Sequence, residues 1–320
     1  MLMERLPEEV LLNCRNQIMK KIISIIALLI IGINVFGQSV PFLNISSDPY
    51  TYSMGGTALT LDANAFTVTS NASAMSYTDK MVYVAASYAA WQPNLLNNQI
   101  LGVSGFYKTG NLAVGISGKY YTHTPYDITD NLGYISSMYT PVEMSAEAAA
   151  SYEVFGGLSV GANVRFLSSA LTEENKATSV AADISVSYRL KGLRASVALT
   201  NIGGNVDYGF GPHKLPSMMK AGVGYVYNVN EKNSLAIHAQ ADYMLNKGVF
   251  MAGVGAEYSF SNLFSARVGY HYGDKTVLPS YASAGLAVKL FGASISGAYI
   301  LGFNNSPING SYVLSLGYEF

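Results

Sequence analysis

His238, Gln240, Asp242, Glu257, Arg267, His271 and Lys289 each fall on the polar side of a segment in which apolar and polar residues alternate. A period of two puts such residues on one face of a strand. The seven therefore share one wall, and a wall of mixed acids, bases and imidazoles could bind a polar ligand or catalyse. The better reading is that charges of both signs simply pair with one another across the wall. For hydrolysis of a lipid, a serine, a histidine and an orienting acid would have to meet beside an oxyanion site. The chain has no Gly-x-Ser-x-Gly, and His123 and His213 fall in expected loops. The four histidines show no HxxxH or HExxH spacing, and the single cysteine, Cys14, precedes an export signal, so no metal, cofactor or thiol nucleophile is expected. The expectation is a protein that is not an enzyme.

The alternating segments that carry these residues run through most of the chain. In Leu235–Tyr243 the apolar face is Leu235, Ile237, Ala239, Ala241 and Tyr243; in 264–273 it is Phe264, Ala266, Val268, Tyr270 and Tyr272. Read this way, the sequence gives about fourteen strands, near 81–91, 99–108, 111–121, 145–154, 157–167, 178–189, 193–200, 217–227, 233–244, 248–260, 263–273, 280–290, 292–301 and 310–320. Alternation alone fits a soluble sandwich or a membrane barrel. The connections separate the two: even-to-odd ones are short, as at Thr109-Gly110, Phe155-Gly156 and Phe291. Most odd-to-even ones are long, as at 122–144, 168–177, 201–216 and 302–309, with Leu245–Lys247 the exception. Short periplasmic turns and long outer loops are the pattern of an outer-membrane barrel, which places both termini in the periplasm. The predicted fold is all-β, a transmembrane antiparallel barrel over 81–320, with its wall in the lipid bilayer of the cell outer membrane.

Composition agrees. Half the residues are hydrophobic and only 12% charged, with 24 Tyr and 31 Gly. A net charge of −1 offers no field for nucleic acid. Tyr120, Tyr188, Tyr225, Tyr227, Tyr258, Tyr270 and Tyr272 fall near strand ends, where aromatic rings sit at the water–lipid boundary. The last strand alternates Tyr312, Leu314, Leu316, Tyr318 and Phe320 to a terminal Phe, which resembles the assembly signal of outer-membrane barrels.

Before the barrel, Met19-Lys20-Lys21, the apolar run Ile22–Val35 and Val35-Phe36-Gly37 form a secretory signal over 19–37, with Gln38 the first mature residue; 1–18 reads as an extension upstream of the true start. Residues 38–80 do not alternate. Small residues dominate there (Gly55-Gly56, Ala63, Ala65, Ala72-Ser73-Ala74), as they do where backbones approach closely. The segment is read as a plug or hatch inside the lumen, the alternative being a flexible periplasmic arm. Loop 122–144 presents Tyr126, Tyr134, Met138 and Tyr139, side chains that protein interfaces favour, although they could instead pack over the barrel mouth.

Met54-Gly55-Gly56, Asp62-Ala63, the Asn71 stretch, Asn201-Ile202-Gly203, Leu215-Pro216 and Lys220–Tyr225 resemble the landmarks of the PorV/PorQ family, barrels related in fold to FadL-type transporters. The resemblance covers roughly Pro41 to Phe320; the family's usual Asn-Pro-Ala reads Asn71-Ala72-Ser73-Ala74 here. It implies a part in type IX secretion, with secretion subunits or cargo proteins as partners. The competing expectation is a FadL-like transporter of hydrophobic small molecules. A transporter should show an apolar path near Met54, Phe66 and Met75, and a secretion component a closed lumen with an exposed docking surface.

Overall fold

The computed structural model describes residues 40–130 and 132–320; the expected extension at 1–18 and signal at 19–37 lie outside the described residues. Strands are β1 (Val82–Trp91), β2 (Asn98–Thr109), β3 (Leu112–Thr122), β4 (Tyr126–Thr129), β5 (Ile135–Tyr139), β6 (Val142–Phe155), β7 (Leu158–Ala170), β8 (Lys176–Leu190) and β9 (Leu193–Gly203). The second half adds β10 (Asn205–Asp207), β11 (Pro212–Lys214), β12 (Met218–Asn228), β13 (Asn233–Met244), β14 (Val249–Phe260), β15 (Phe264–Tyr272), β16 (Tyr281–Leu290), β17 (Ala293–Gly302) and β18 (Tyr312–Glu319). Fourteen of them close into an antiparallel barrel, sealed where β1 pairs with β18 from Tyr83–Glu319 to Ala90–Tyr312. Closure gives every strand two neighbours, so no ladder edge is left in hydrocarbon.

The period-two pattern explains which face goes where. On β7, Val160, Val164 and Phe166 are exposed while Ser159, Asn163, Arg165 and Ser169 are buried. Apolar side chains point out to lipid and polar ones into the lumen, the reverse of a soluble sandwich. Each expected strand is present. The largest boundary corrections are at β6, which starts at Val142 rather than 145, and β7 and β9, which run on to Ala170 and Gly203.

Turns at one end are two to four residues long, several built on positive φ (Gly110 +56°, Gly156 +51°, Lys191 +53°) that reverse the chain tightly. This end faces the periplasm. At the outer end the two longest connections fold on themselves: β4 pairs with β5, and β10 with β11. Neither hairpin was expected, since their strands are too short for alternation to register.

Residues 40–80 pack against the inner wall. They form a 3₁₀ turn (Pro41–Asn44), a short helix (Pro49–Ser53), a second short helix (Thr67–Ser70) and another 3₁₀ stretch (Ala72–Tyr77). The first helix touches β15 to β18, and the last stretch touches β2, β3, β6, β7 and β8. This inner segment runs from the outer end toward the periplasmic end. Val40 is buried with Trp91, Ile100 and Leu215 beneath the outer connections, whereas Phe320 meets Met81 and Val82 at the periplasmic end. The expectation that both termini lie in the periplasm fits the place of Phe320, while the expected first mature residue, Gln38, lies outside the described residues.

Candidate functional site

The candidate site is the contact between the inner segment and the polar wall. At the outer end, the Lys119 ammonium donates to the Phe42 and Ile45 carbonyls at 2.8 and 2.7 Å and lies 5.1 Å over the Phe42 ring. Asp48 caps the Pro49–Ser53 helix, accepting from the Tyr50 and Thr51 amides at 3.0 and 3.2 Å. Burial raises the Asp48 carboxyl above its usual range, against these bonds, which lower it. The Arg267 guanidinium carbon lies 3.8 Å from the centre of the Tyr50 ring, and the side chain pairs with Glu257 at 2.5 Å.

After this helix the backbone comes onto the wall itself. Gly55 has φ +68°, and a Cβ there would stand 2.5 Å from the carbonyl oxygens of Val254 and Tyr270; a Cβ on Gly255 would stand 2.6 Å from the Met54 carbonyl. Only glycine on both surfaces allows this approach. Further on, Gln240 Oε1 accepts from the Ala58 and Leu59 amides at 2.8 and 3.0 Å, and His238 Nδ1 meets Thr60 Oγ1 at 2.9 Å. Asp62 pairs with Arg194 at 2.7 Å and with Arg189 at 3.6 Å. Burial opposes its ionisation, but the two guanidinium groups outweigh burial and hold the Asp62 carboxyl below its usual range. Asn71 Nδ2 donates to the Leu59 carbonyl at 2.6 Å, Ser76 meets Ser159 at 2.6 Å, and Tyr77 donates to carbonyls of Gly157 and Ser187.

Of the residues singled out in the sequence, His238, Gln240, Asp242, Glu257, Arg267, His271 and Lys289 all face the lumen, but they do not form one cluster. They are spread along the inner segment: His238 and Gln240 hold residues 58–60, Arg267 covers Tyr50, and His271 Nδ1 reaches the Gly55 carbonyl at 3.3 Å. Asp242 accepts from Gln240 Nε2 at 2.8 Å, and Lys289 pairs with Glu319 at 2.5 Å. Tyr126 and Tyr139 face each other across the β4–β5 hairpin with ring centroids 5.9 Å apart, and Tyr126 donates to the Leu171 carbonyl at 3.1 Å. Tyr134 stands 70% exposed near the hairpin tip.

Sequence reasoning missed the opposite wall. Arg165 on β7 pairs with Glu147 on β6 at 2.7 Å and Asp183 on β8 at 3.0 Å, and also donates to the Asn201 amide oxygen. Here Asp183 faces both Thr200 and Asn201, a bulge in β9; the Asn201 amide donates to Asp183 at 2.6 Å. Alternation alone places Glu147, Arg165 and Asp183 inside. The same period-two pattern that puts His238 and Arg267 inside carries these three.

Two cavities flank the inner segment: about 120 Å³ on the outer side, bordered by Lys119, Arg165, Asp242 and Tyr281, and about 680 Å³ on the periplasmic side, bordered by Asp62, Arg189, Glu257 and Lys289. Met54, Phe66 and Met75 are at most 2% exposed. Among the described residues no three His, Cys, Asp or Glu side chains converge as a metal site.

The fold is shared with solved outer-membrane barrels. The toluene transporter TbuX of Ralstonia pickettii matches with a TM-score of 0.61 and 13% identity over 86% of this chain and 98% of its own. The toluene transporter TodX of Pseudomonas putida matches with a TM-score of 0.63 and 11% identity over 90% of this chain and 99% of its own. At such identities the likeness is one of fold. No curated protein matches the sequence. The family described as type IX secretion system protein PorV matches residues 32–248, more than half of the chain. This outer-membrane barrel, with its glycine-lined wall and inner segment, belongs to the PorV family.

Proposed function

We propose that the protein acts as a closed, non-enzymatic outer-membrane component of type IX protein secretion, holding exported cargo or joining a surface-attachment complex at its outer face, with residues 40–80 as the plug. The observation that carries this reading is the state of Met54, Phe66 and Met75. An apolar path would run along these residues, and they are buried in a segment tied to opposite walls through Lys119, Arg194, His238, Gln240 and Ser159. The larger cavity, on the periplasmic side, is bordered by Asp62, Arg189, Glu257, Arg267 and Lys289, which disfavours a hydrophobic cargo there. Tyr134, Ile135 and Met138 on the outer hairpin stay open and supply the kind of surface that protein partners use.

The second reading, a conduit for a hydrophobic small molecule, draws on the fold shared with the toluene transporters. Capture of an internally tagged protein from detergent-solubilised outer membranes, with its C-terminus left free, discriminates the two. Secretion subunits or exported cargo in the mass spectrum support the first; a barrel that comes out alone carrying lipid or fatty acid supports the second.

A further inference from the structure

Arg189 and Arg194 stand directly opposite each other in the β8–β9 ladder, and both turn inward to the inner segment. Like charges in that position repel. Elsewhere on the wall the arginines and Lys289 are matched: Arg267 pairs with Glu257, Lys289 with Glu319, and Arg165 with two acids. Here two guanidinium groups share the single carboxylate of Asp62. The sharing is unequal. Arg194 meets Asp62 Oδ1 at 2.7 Å, whereas Arg189 reaches the same oxygen only at 3.6 Å, too far for a hydrogen bond.

Each guanidinium is fixed by other means. Arg194 donates to the Thr60 carbonyl at 3.2 Å and Arg189 to the Leu61 carbonyl at 3.0 Å, and the Arg189 guanidinium carbon lies 4.6 Å from the centre of the Tyr77 ring. The arginine side chains are 20% and 11% exposed, the Asp62 side chain 57%. The cations are therefore the fixed part of the contact and the carboxylate the replaceable one. Asp62 and Arg189 border the 680 Å³ cavity on the periplasmic side, a volume within the range of ligand sites. Ser259, Ser265, Ser294 and Ser296 border the same cavity and bring hydroxyl groups to it. A guanidinium left without its own acid calls for an anion, and its planar fork suits a carboxylate through two parallel N–H···O bonds.

We propose that Arg189 and Arg194 form a binding site for the carboxylate of a small molecule that enters the cavity from the periplasm, with Asp62 as the built-in occupant that this ligand displaces. Asp62 is itself a carboxylate, which favours that group over phosphate. The site stands whether the barrel serves secretion or transport. Displacement of Asp62 leaves the Thr60 and Leu61 carbonyl bonds in place, so the inner segment stays on the wall.

The test is saturation-transfer NMR of the full chain in detergent with N-acetyl-trialanine, whose only charge is its terminal carboxylate, beside the same peptide as its C-terminal amide. Inorganic phosphate is added as a competitor. The proteins are wild type, D62A and D62A/R189Q, and migration on unheated gels confirms that each is folded. If the double variant does not fold, D62A/R189K, which keeps the charge and loses the fork, takes its place. The expected result is weak binding of the free acid by wild type and binding about fivefold tighter by D62A, because the built-in competitor is gone. The gain is lost in the double variant, and the amide does not bind. Equal binding by wild type and D62A, equal binding by D62A and the folded double variant, binding of the amide, or phosphate bound more tightly than the acid overturns the proposal.

Discussion

Gly269 of β15 and Gly55 of the inner segment leave no room for a side chain between them: a Cβ on Gly269 would overlap the Gly55 amide nitrogen and the Met54 carbonyl carbon. G269A should therefore either push the inner segment off the wall or strain β15, at a cost of about 1–3 kcal/mol. Urea unfolding in detergent measures that loss, and proteolysis within 40–80 shows which surface gave way. The control is G118A. At Gly118 the nearest atom to a Cβ is 3.5 Å away, so stability should not change.

Removing Arg165 strands two acids. Glu147 and Asp183 keep 4% and 11% of their side-chain surface exposed, and an uncompensated buried charge costs about 3–5 kcal/mol. R165A should lower the unfolding midpoint by more than E147Q/R165M/D183N does, because the triple change removes the charges together. The reverse order would show that the network is not held in its ionised form.

Asp62 gives the contact between the inner segment and the wall a pH dependence of known sign. Its folded pKa lies below the ordinary 3.8, so the contact stabilises fully above that value and is lost as pH falls through the lower folded one. Because Asp62 is 57% exposed, the contribution is screened and stays under about 1 kcal/mol. The difference in melting temperature between wild type and D62N should be constant from neutral pH to about pH 5 and vanish in stronger acid.

Closure of the lumen is measurable as conductance. In planar bilayers the intact protein should give no stepwise ionic current. A chain lacking 41–77, checked for folding on unheated gels, should open a pore lined by Glu147, Arg165, His238 and Arg267. Current through the intact protein would remove the closed-lumen reading.

The outer hairpin separates docking from folding. Y134A should leave stability within about 0.5 kcal/mol, as surface changes do, and reduce recovery of co-purifying partners. Y126A should loosen the hairpin, since it removes the ring facing Tyr139 and the bond to Leu171.

Much of this architecture was legible in the sequence. The barrel strands follow from alternation because each must present one face to lipid and one to the lumen, and loop length by parity fixes their sense. His238, Asp242 and Arg267 were placed on the inner face by the same logic. Their partners were not legible: Thr60, Tyr50 and Gly55 belong to a segment with no period, where contacts are set by backbone approach and not by a repeating pattern. The β9 bulge at Thr200-Asn201 was also hidden: the extra residue flips the phase of the alternation, but only Ile202 and Gly203 follow it before the strand ends.

The course of residues 40–80 also has a mechanical meaning. An empty ring of strands can flatten under lateral pressure, because each ladder bends easily across its width. Here Lys119 on β3, Ser159 on β7, Arg194 on β9, His238 on β13 and Gly269 on β15 all bear on a single stretch of chain. That stretch works as an internal strut, so a squeeze on any one side of the ring is carried to the far side.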